Sequence, residues 1–204
     1  MAMDGATIKT YDKYAKEYDN EVIEFWNNFP KIIIDKFCES LKGNKILDLG
    51  SGSGRDALIL RDKGLEVVCV DASKEMIKIT NNLGFESIES DFQNYDFSKE
   101  KFDGVWAYTS LLHITKEEIK NILKEIYKTL KPNGVFLIGM IEGIYEGNIE
   151  RENMLGEKRF FRFYEEQELR EIIEKIGFKF EFQERYKPHS KTYLSQIYKK
   201  IRIK

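Results

Sequence analysis

From Lys45 to Ala57 the chain reads Lys-Ile-Leu-Asp-Leu-Gly-Ser-Gly-Ser-Gly-Arg-Asp-Ala, a short apolar run leading through three alternating glycines into helix-forming residues. No other segment restricts the fold as much. Glycine is needed where a backbone turns sharply, takes positive φ, or lets a ligand lie against it. A helix N-terminus beyond such a turn offers unpaired N–H groups. In doubly wound sheets, ligands bind in this crevice at the carboxyl ends of the strands.

The rest of the sequence alternates strand and helix around that turn. Residues 10–42 read as helical with a break at Pro30, and Lys45–Leu49 as the first strand. A helix from about Arg55 to Lys63 is closed by Gly64, and Glu66–Asp71 is a second strand. Ser73 caps a helix running to Gly84; Phe85–Ser90 and Phe102–Tyr108 are the next strands. Thr115 and Glu118 fit a capping box ahead of the stripe Ile119, Ile122, Leu123, Ile126, Tyr127 and Leu130. Lys131–Gly134 ends that helix, and Val135–Met140 reads as a buried strand. After a polar stretch over Glu142–Lys158, Leu169, Ile172, Ile173 and Ile176 mark a last helix, stopped by Gly177. Phe178–Arg185 and Tyr193–Ile203 read as closing strands that form an antiparallel edge.

This order predicts an α/β fold: a doubly wound, Rossmann-like, mainly parallel sheet with an antiparallel strand at the C-terminal end. A single domain is expected over 1–204, with an N-terminal helical cap (1–42) and a core (43–204) carrying a loop insertion at 142–163.

Composition narrows the function classes. A net charge of -2 gives no overall basic field for nucleic acid or anionic lipid. From Lys187 to Lys204 there are six Lys or Arg and no acid, readable as solvated edge charges or as a nucleic-acid contact. Cys38 and Cys69 have no CxxC partner, and Cys69 reads as a buried strand thiol, which fits a reducing compartment. Met1–Gly5 lacks the features of a signal peptide. Gly134–Ile141, the longest apolar stretch, is less than half a membrane span. A cytoplasmic protein without membrane contact is expected. With only His113 and His189, a multi-histidine metal site is not.

Two ligand classes share glycine turns of this type. Gly52-x-Gly54-x-x-Ala57 also satisfies the dinucleotide fingerprint, with Asp71 near the spacing of its ribose-binding acid. Asp48 argues the other way, because a carboxylate there repels a pyrophosphate and attracts an ammonium group. A second acid, Asp91, ends the third strand, and the chain finishes helix–strand–strand rather than with a substrate domain.

Asp48-x-Gly50-x-Gly52-x-Gly54 resembles the first motif of class I S-adenosylmethionine-dependent methyltransferases. Asp71 matches that family's acid for the ribose hydroxyls, and Asp91-Phe92 its adenine-bracketing pair. Phe102–Tyr108 and Leu130–Val135 resemble its fourth strand and the turn into its fifth; Thr10–Asp19 is similar to the N-terminal helix of many small-molecule members. Gly54–Ala57 and Ser110–His113 are closest to a small bacterial, tellurite-resistance-like branch.

The resemblance implies S-adenosylmethionine as cofactor, S-adenosylhomocysteine as product, and in-line transfer to a small-molecule acceptor by a monomer or homodimer. It places the cofactor against Tyr11, Tyr18, Asp48, Gly50, Ser51, Gly52, Gly54, Asp56, Asp71, Ala72, Met76, Asp91, Phe92 and Ala107. His113 and Tyr14 are the candidate catalytic side chains. Each has a plainer reading: His113 as a residue at a helix start, Tyr11, Tyr14 and Tyr18 as core packing, Asp71 as a helix cap, Asp91 as a turn residue, Met76 as core filling. An NAD-binding oxidoreductase and a catalytically silent S-adenosylmethionine-binding protein are the alternatives. The pocket is expected between Tyr11–Tyr18, Tyr108–His113 and the 142–163 segment.

Overall fold

A computed structural model describes residues 5–150 and 157–201. Three helices precede the sheet: α1 (Gly5–Lys13), α2 (Ala15–Asn27) and α3 (Lys31–Ser40). The helical stretch read from residue 10 therefore starts earlier and breaks twice, at Tyr14 as well as at Pro30. β1 (Lys45–Leu49), α4 (Arg55–Asp62), β2 (Glu66–Asp71), α5 (Lys74–Asn82), β3 (Glu86–Glu89) and β4 (Phe102–Tyr108) follow. Next come a 3-10 turn (Leu111–His113), α6 (Ile119–Thr129), β5 (Leu130–Ile141), β6 (Glu146–Glu150) and β7 (Lys158–Arg162). The chain closes with α7 (Glu166–Glu174), β8 (Phe178–Tyr186) and β9 (Tyr193–Lys200).

Seven strands form one sheet in the order β3-β2-β1-β4-β5-β9-β8. The first five pair in parallel, and β9 runs antiparallel to both β5 and β8. The reversed strand thus lies one place inside the edge, which β8 forms; the end of the strand read to Ile203 falls outside the described residues. Strand order reverses between β1 and β4, which opens a crevice at their carboxyl ends.

Side chains alternate across the central strands of the sheet. On one face Leu47, Val70, Val105, Ala107, Phe136 and Ile138 pack under α6 and α7, whose Ile122, Leu123, Ile126, Leu169 and Ile173 are buried. On the other, Ile46, Cys69, Trp106 and Leu137 meet Ile33 and Phe37 of α3 and Ala57 and Leu60 of α4. Full burial of each large side chain contributes about 1.5–3 kcal/mol, so the sheet is held from both sides. No helix among the described residues is long and apolar enough to cross a membrane.

Three local expectations change. The segment read as a loop insertion contains the antiparallel pair β6–β7; residues 151–156 lie outside the described residues. Its polar look comes from charges that meet across the pair, Glu150 with Lys158 at 3.1 Å and Glu146 with Arg162 at 3.5 Å. Such pairs stabilise a sheet while hiding its apolar alternation in sequence. At α6 the helix begins at Ile119, and Thr115 Oγ1 donates to the Glu118 carboxylate (2.8 Å) instead of capping a backbone N–H. Residues 131–134 bulge out of β5, since Leu130 pairs with Phe102 and Val135 with Gly104.

Candidate functional site

A cavity of about 740 Å³ opens at the carboxyl ends of β1, β2 and β4. Its floor is the glycine turn, where Gly50, Gly52 and Gly54 take φ values of 81°, 52° and 77°. A Cβ at Gly50 would overlap Ser110 Cβ, whose hydroxyl donates to Leu49 O at 2.6 Å. A Cβ at Gly52 would instead point at the Tyr18 ring 3.7 Å away, and both residues line the cavity. The backbone must therefore turn here without side chains to keep the floor open.

Four of the turn's own N–H groups are already engaged. Gly50 N and Ser51 N donate to Val70 O (2.7 and 3.0 Å), Gly54 N to Ser51 O (2.9 Å), and Gly52 N to Asp71 Oδ2 (2.8 Å). A phosphate-cradling loop needs such donors free.

Three carboxyls surround this turn. Asp71 Oδ1 accepts from Ser73 N at 2.8 Å, so its side chain fastens the glycine turn to the start of α5. Asp56 accepts from Trp106 Nε1 (2.8 Å) and Ala57 N (3.2 Å). Asp48 is buried and neither of its oxygens has a hydrogen-bond partner among the described residues. Burial, then the charges of Asp56 and Asp71, push the Asp48 carboxyl well above the usual range. Burial raises Asp56 to about 7. Asp71 is also raised by burial, opposed by the N–H groups it accepts from. Crowded acids of this kind gain from a nearby cation.

The roof comes from distant parts of the chain. His113 Nδ1 lies 2.6 Å from Phe160 O, a geometry in which the ring nitrogen donates. That tautomer leaves Nε2 to accept from Tyr11 Oη at 2.9 Å, and Tyr11 Oη accepts from Arg159 Nη1 at 2.8 Å. α1 is tied down by polar contacts: Thr7 Oγ1 accepts from Phe160 N (3.0 Å), and Ser73 Oγ donates to Asp12 (2.7 Å). Arg55 Nε and Nη2 grip Asp19 Oδ1 and Oδ2, each at 2.7 Å.

Of the residues read as cofactor contacts, Tyr11, Tyr18, Gly50, Ser51, Gly52, Asp56, Asp71, Ala72, Met76 and Phe92 line the cavity, as does His113. Five expected residues do not. Ala107 faces the α6 side of the sheet, because alternation turns it away from the crevice. Gly54 packs against Thr80 and Leu83 of the α5 end. Asp91 accepts from Gln93 N, Asn94 N and Asn94 Nδ2, which makes it a turn residue. Asp48 is buried and does not line the cavity, whereas Asp56 does. Tyr14, read as catalytic, is buried off the wall beneath the Lys13 ammonium, 5.0 Å from its ring centroid.

Sequence reading missed a second group of wall residues. Phe25 and Trp26 of α2 close around Tyr108, with centroids 6.0 and 5.2 Å away, and Tyr186 and Tyr193 join them. The Phe25-Trp26 pair was the available signal, but nothing local says which face a helix outside the alternating pattern presents. Thr109, at the end of β4, takes φ 50° on the cavity wall. Strained backbone at a β-branched residue is typical of functional clefts. No cluster of three or more metal-ligating side chains occurs among the described residues.

Comparison with known proteins agrees with this geometry. A family profile described as a methyltransferase domain matches residues 46–134, the span from β1 into β5. An uncharacterized protein of Methanocaldococcus jannaschii is 29% identical over 187 residues, covering 84% of this chain and 82% of its own. An uncharacterized methyltransferase of Staphylococcus carnosus is 26% identical over 180 residues, covering 83% and 80%. In fold, the chain is similar to Burkholderia thailandensis 1,6-didemethyltoxoflavin-N1-methyltransferase, solved with its acceptor and S-adenosylhomocysteine. The TM-score is 0.72 at 20% identity, over 99% of this chain and 91% of that one.

Proposed function

We propose that the chain is a class I S-adenosylmethionine-dependent methyltransferase and that it methylates a compact small molecule held between α2, the 3-10 turn and the β6–β7 pair. The observation that carries this reading is the floor: an open glycine turn whose amides are internally engaged, ringed by Asp48, Asp56 and Asp71. Such a floor favours a cationic ligand and opposes the pyrophosphate of a dinucleotide.

The residues present fit the cofactor. Asp71 would take the ribose hydroxyls on the lone pairs that Gly52 and Ser73 leave open, and Phe92 and Met76 would flank the adenine. Asp56 on the wall would hold the ammonium group, with the buried, unpartnered Asp48 adding to the acidic surroundings. S-adenosylmethionine supplies a methyl already activated by a sulfonium whose departure leaves a neutral thioether. The protein's task is then to align the acceptor and exclude water, and alignment alone can supply roughly 7–11 kcal/mol of the barrier.

His113 serves here as a positioning residue. Its Nε2 lone pair is filled by Tyr11 and its Nδ1 proton by Phe160 O, so it locks α1, the 3-10 turn and β7 together. A volume near 740 Å³ accommodates donor and small acceptor together. Flipped or single-stranded nucleic acid instead needs a basic approach surface, and the chain's net charge is -2. The likeness of Gly54–Ala57 and Ser110–His113 to a tellurite-resistance-like branch names no acceptor.

Thermal shift against S-adenosylmethionine, S-adenosylhomocysteine and NAD tests the reading. At 100 times its dissociation constant a ligand adds roughly 2.7 kcal/mol. A response to NAD with none to either S-adenosyl compound overturns it. A methyl-release assay over a metabolite library and total cellular RNA tests the acceptor class, and salt-sensitive turnover on RNA alone would refute a small molecule.

A further inference from the structure

We propose that Arg159 is an anchor for an oxyanion on the acceptor, a carboxylate or a phosphate-type group, so that the substrate of this enzyme is an anionic small molecule. The proposal rests on the methyltransferase reading above and gives its acceptor a chemical class.

Arg159 lines the cavity from β7, yet it is only 2% exposed. Its Nη1 donates to Tyr11 Oη at 2.8 Å, while Nε and Nη2 have no hydrogen-bond partner among the described residues. Those two nitrogens share one edge of the guanidinium, and their N–H bonds point the same way. That edge matches two oxygens held side by side. The same molecule demonstrates the match. Arg55 uses Nε and Nη2 to hold both oxygens of Asp19 at 2.7 Å, and Arg185 turns the same edge to Glu142 at 3.0 and 2.8 Å. Arg159 presents this edge with no carboxylate on it among the described residues.

Its surroundings keep the position ready. The guanidinium lies 5.0 Å from the Tyr11 ring centroid and 5.3 Å from that of Phe161, so aromatic faces support the charge without neutralising it. Lys191 brings a second cation to the Phe161 ring, 5.6 Å from its centroid. Carboxyls thus gather at the glycine turn, while Arg159 of β7 and Lys191 between β8 and β9 bring two cations to the Phe161 ring. A buried, uncompensated guanidinium opposes folding, and a ligand oxyanion would remove that penalty.

Arg159→Met and Arg159→Lys test the assignment beside the wild type, by calorimetry and thermal shift. The probes are benzoate, phenyl phosphate and the neutral benzamide, each added to protein saturated with S-adenosylhomocysteine. One of the two anions should raise the wild-type melting temperature and benzamide should not; whichever is stronger identifies the oxyanion. Arg159→Met should lose that response and melt, without ligand, at or above wild type; Arg159→Lys should weaken it by about tenfold. No anion response in the wild type, or a response that survives in Arg159→Met with a lowered melting temperature, overturns the proposal. So does tenfold weaker S-adenosylhomocysteine binding in Arg159→Met with 5′-methylthioadenosine, which lacks the amino-acid carboxylate, unaffected; Arg159 would then serve the donor. Failure of wild type to bind S-adenosylhomocysteine would sink the methyltransferase reading instead, and the same anions on the unliganded protein would still judge Arg159.

Discussion

On the floor of the cavity, the glycine turn is fastened by hydrogen bonds to Ser51, Val70 and Asp71 and leaves carboxyls in excess; on the roof, β7, α1 and the 3-10 turn meet from far apart and leave a guanidinium in excess among the described residues. The floor is continuous with the sheet, flanked by Leu47 and Leu49 with no exposure at all. Within the roof, Phe161, Leu111 and Leu112 join the apolar layer under α6, but no residue of α1 joins either cluster, and Thr7 and Asp12 hold that helix through polar contacts. The difference teaches that rigidity is placed where the donor must be held, and adaptable polar contacts where the acceptor must enter. Four substitutions or measurements test how far this contrast goes.

The largest effect is expected at Gly50. A valine there would combine positive-φ strain with overlap at Ser110, a cost of about 2–5 kcal/mol. Denaturant unfolding should register a loss of that size, and full stability would mean the floor is not rigid.

Asp56→Asn comes next. Burial lifts the Asp56 carboxyl from 3.8 to about 7, so between those pH values the folded protein binds more protons than the unfolded chain. Wild-type stability should therefore fall as pH rises through that window, by an amount on the order of a few kcal/mol. Asparagine keeps an oxygen for Trp106 Nε1 and removes this slope; Asp48 and Asp71, also raised, leave a residual one. Melting temperatures at pH 5 and pH 8 decide, and parallel slopes in wild type and mutant would count against it.

Asp71→Ala should weaken S-adenosylhomocysteine binding by about 1.5–3 kcal/mol in calorimetry. The sequence alone suggests an untouched fold, but Gly52 N and Ser73 N both lean on this carboxylate, so some stability is lost as well. Unchanged affinity would reduce Asp71 to a helix cap.

The smallest effect concerns exchange rates. Amides of α1 and of residues 10–19 should exchange faster than those of β1 and β2 and slow when S-adenosylhomocysteine is added. Equal protection in both states would erase the contrast between roof and floor.

Much of the floor was legible because it is local. Glycine spacing, a strand before it and a helix after it occupy one stretch, and sheet alternation carried the rest of the parallel core. Even there, tertiary contacts reassigned residues: Ala107 points to the wrong face, Asp91 is consumed by its own turn, and Asp48 is buried off the cavity wall. The roof was hard to read for an opposite reason. Its strands look polar because Glu146, Glu150, Lys158 and Arg162 find their partners across the β6–β7 pair, and its aromatic wall comes from α2, the end of β8 and the start of β9.

By itself, then, the sequence determined the α/β layering, the mainly parallel sheet and the position of the glycine turn at its switch point, since these follow from local propensity and periodicity. Only the tertiary structure decided that four of the turn's amides are engaged by Ser51, Val70 and Asp71, that β9 slips between β5 and β8, and that Arg159 is buried with no acid paired to it among the described residues. Each of those depends on which distant group arrives as partner, and burial makes the presence or absence of that partner the dominant energy.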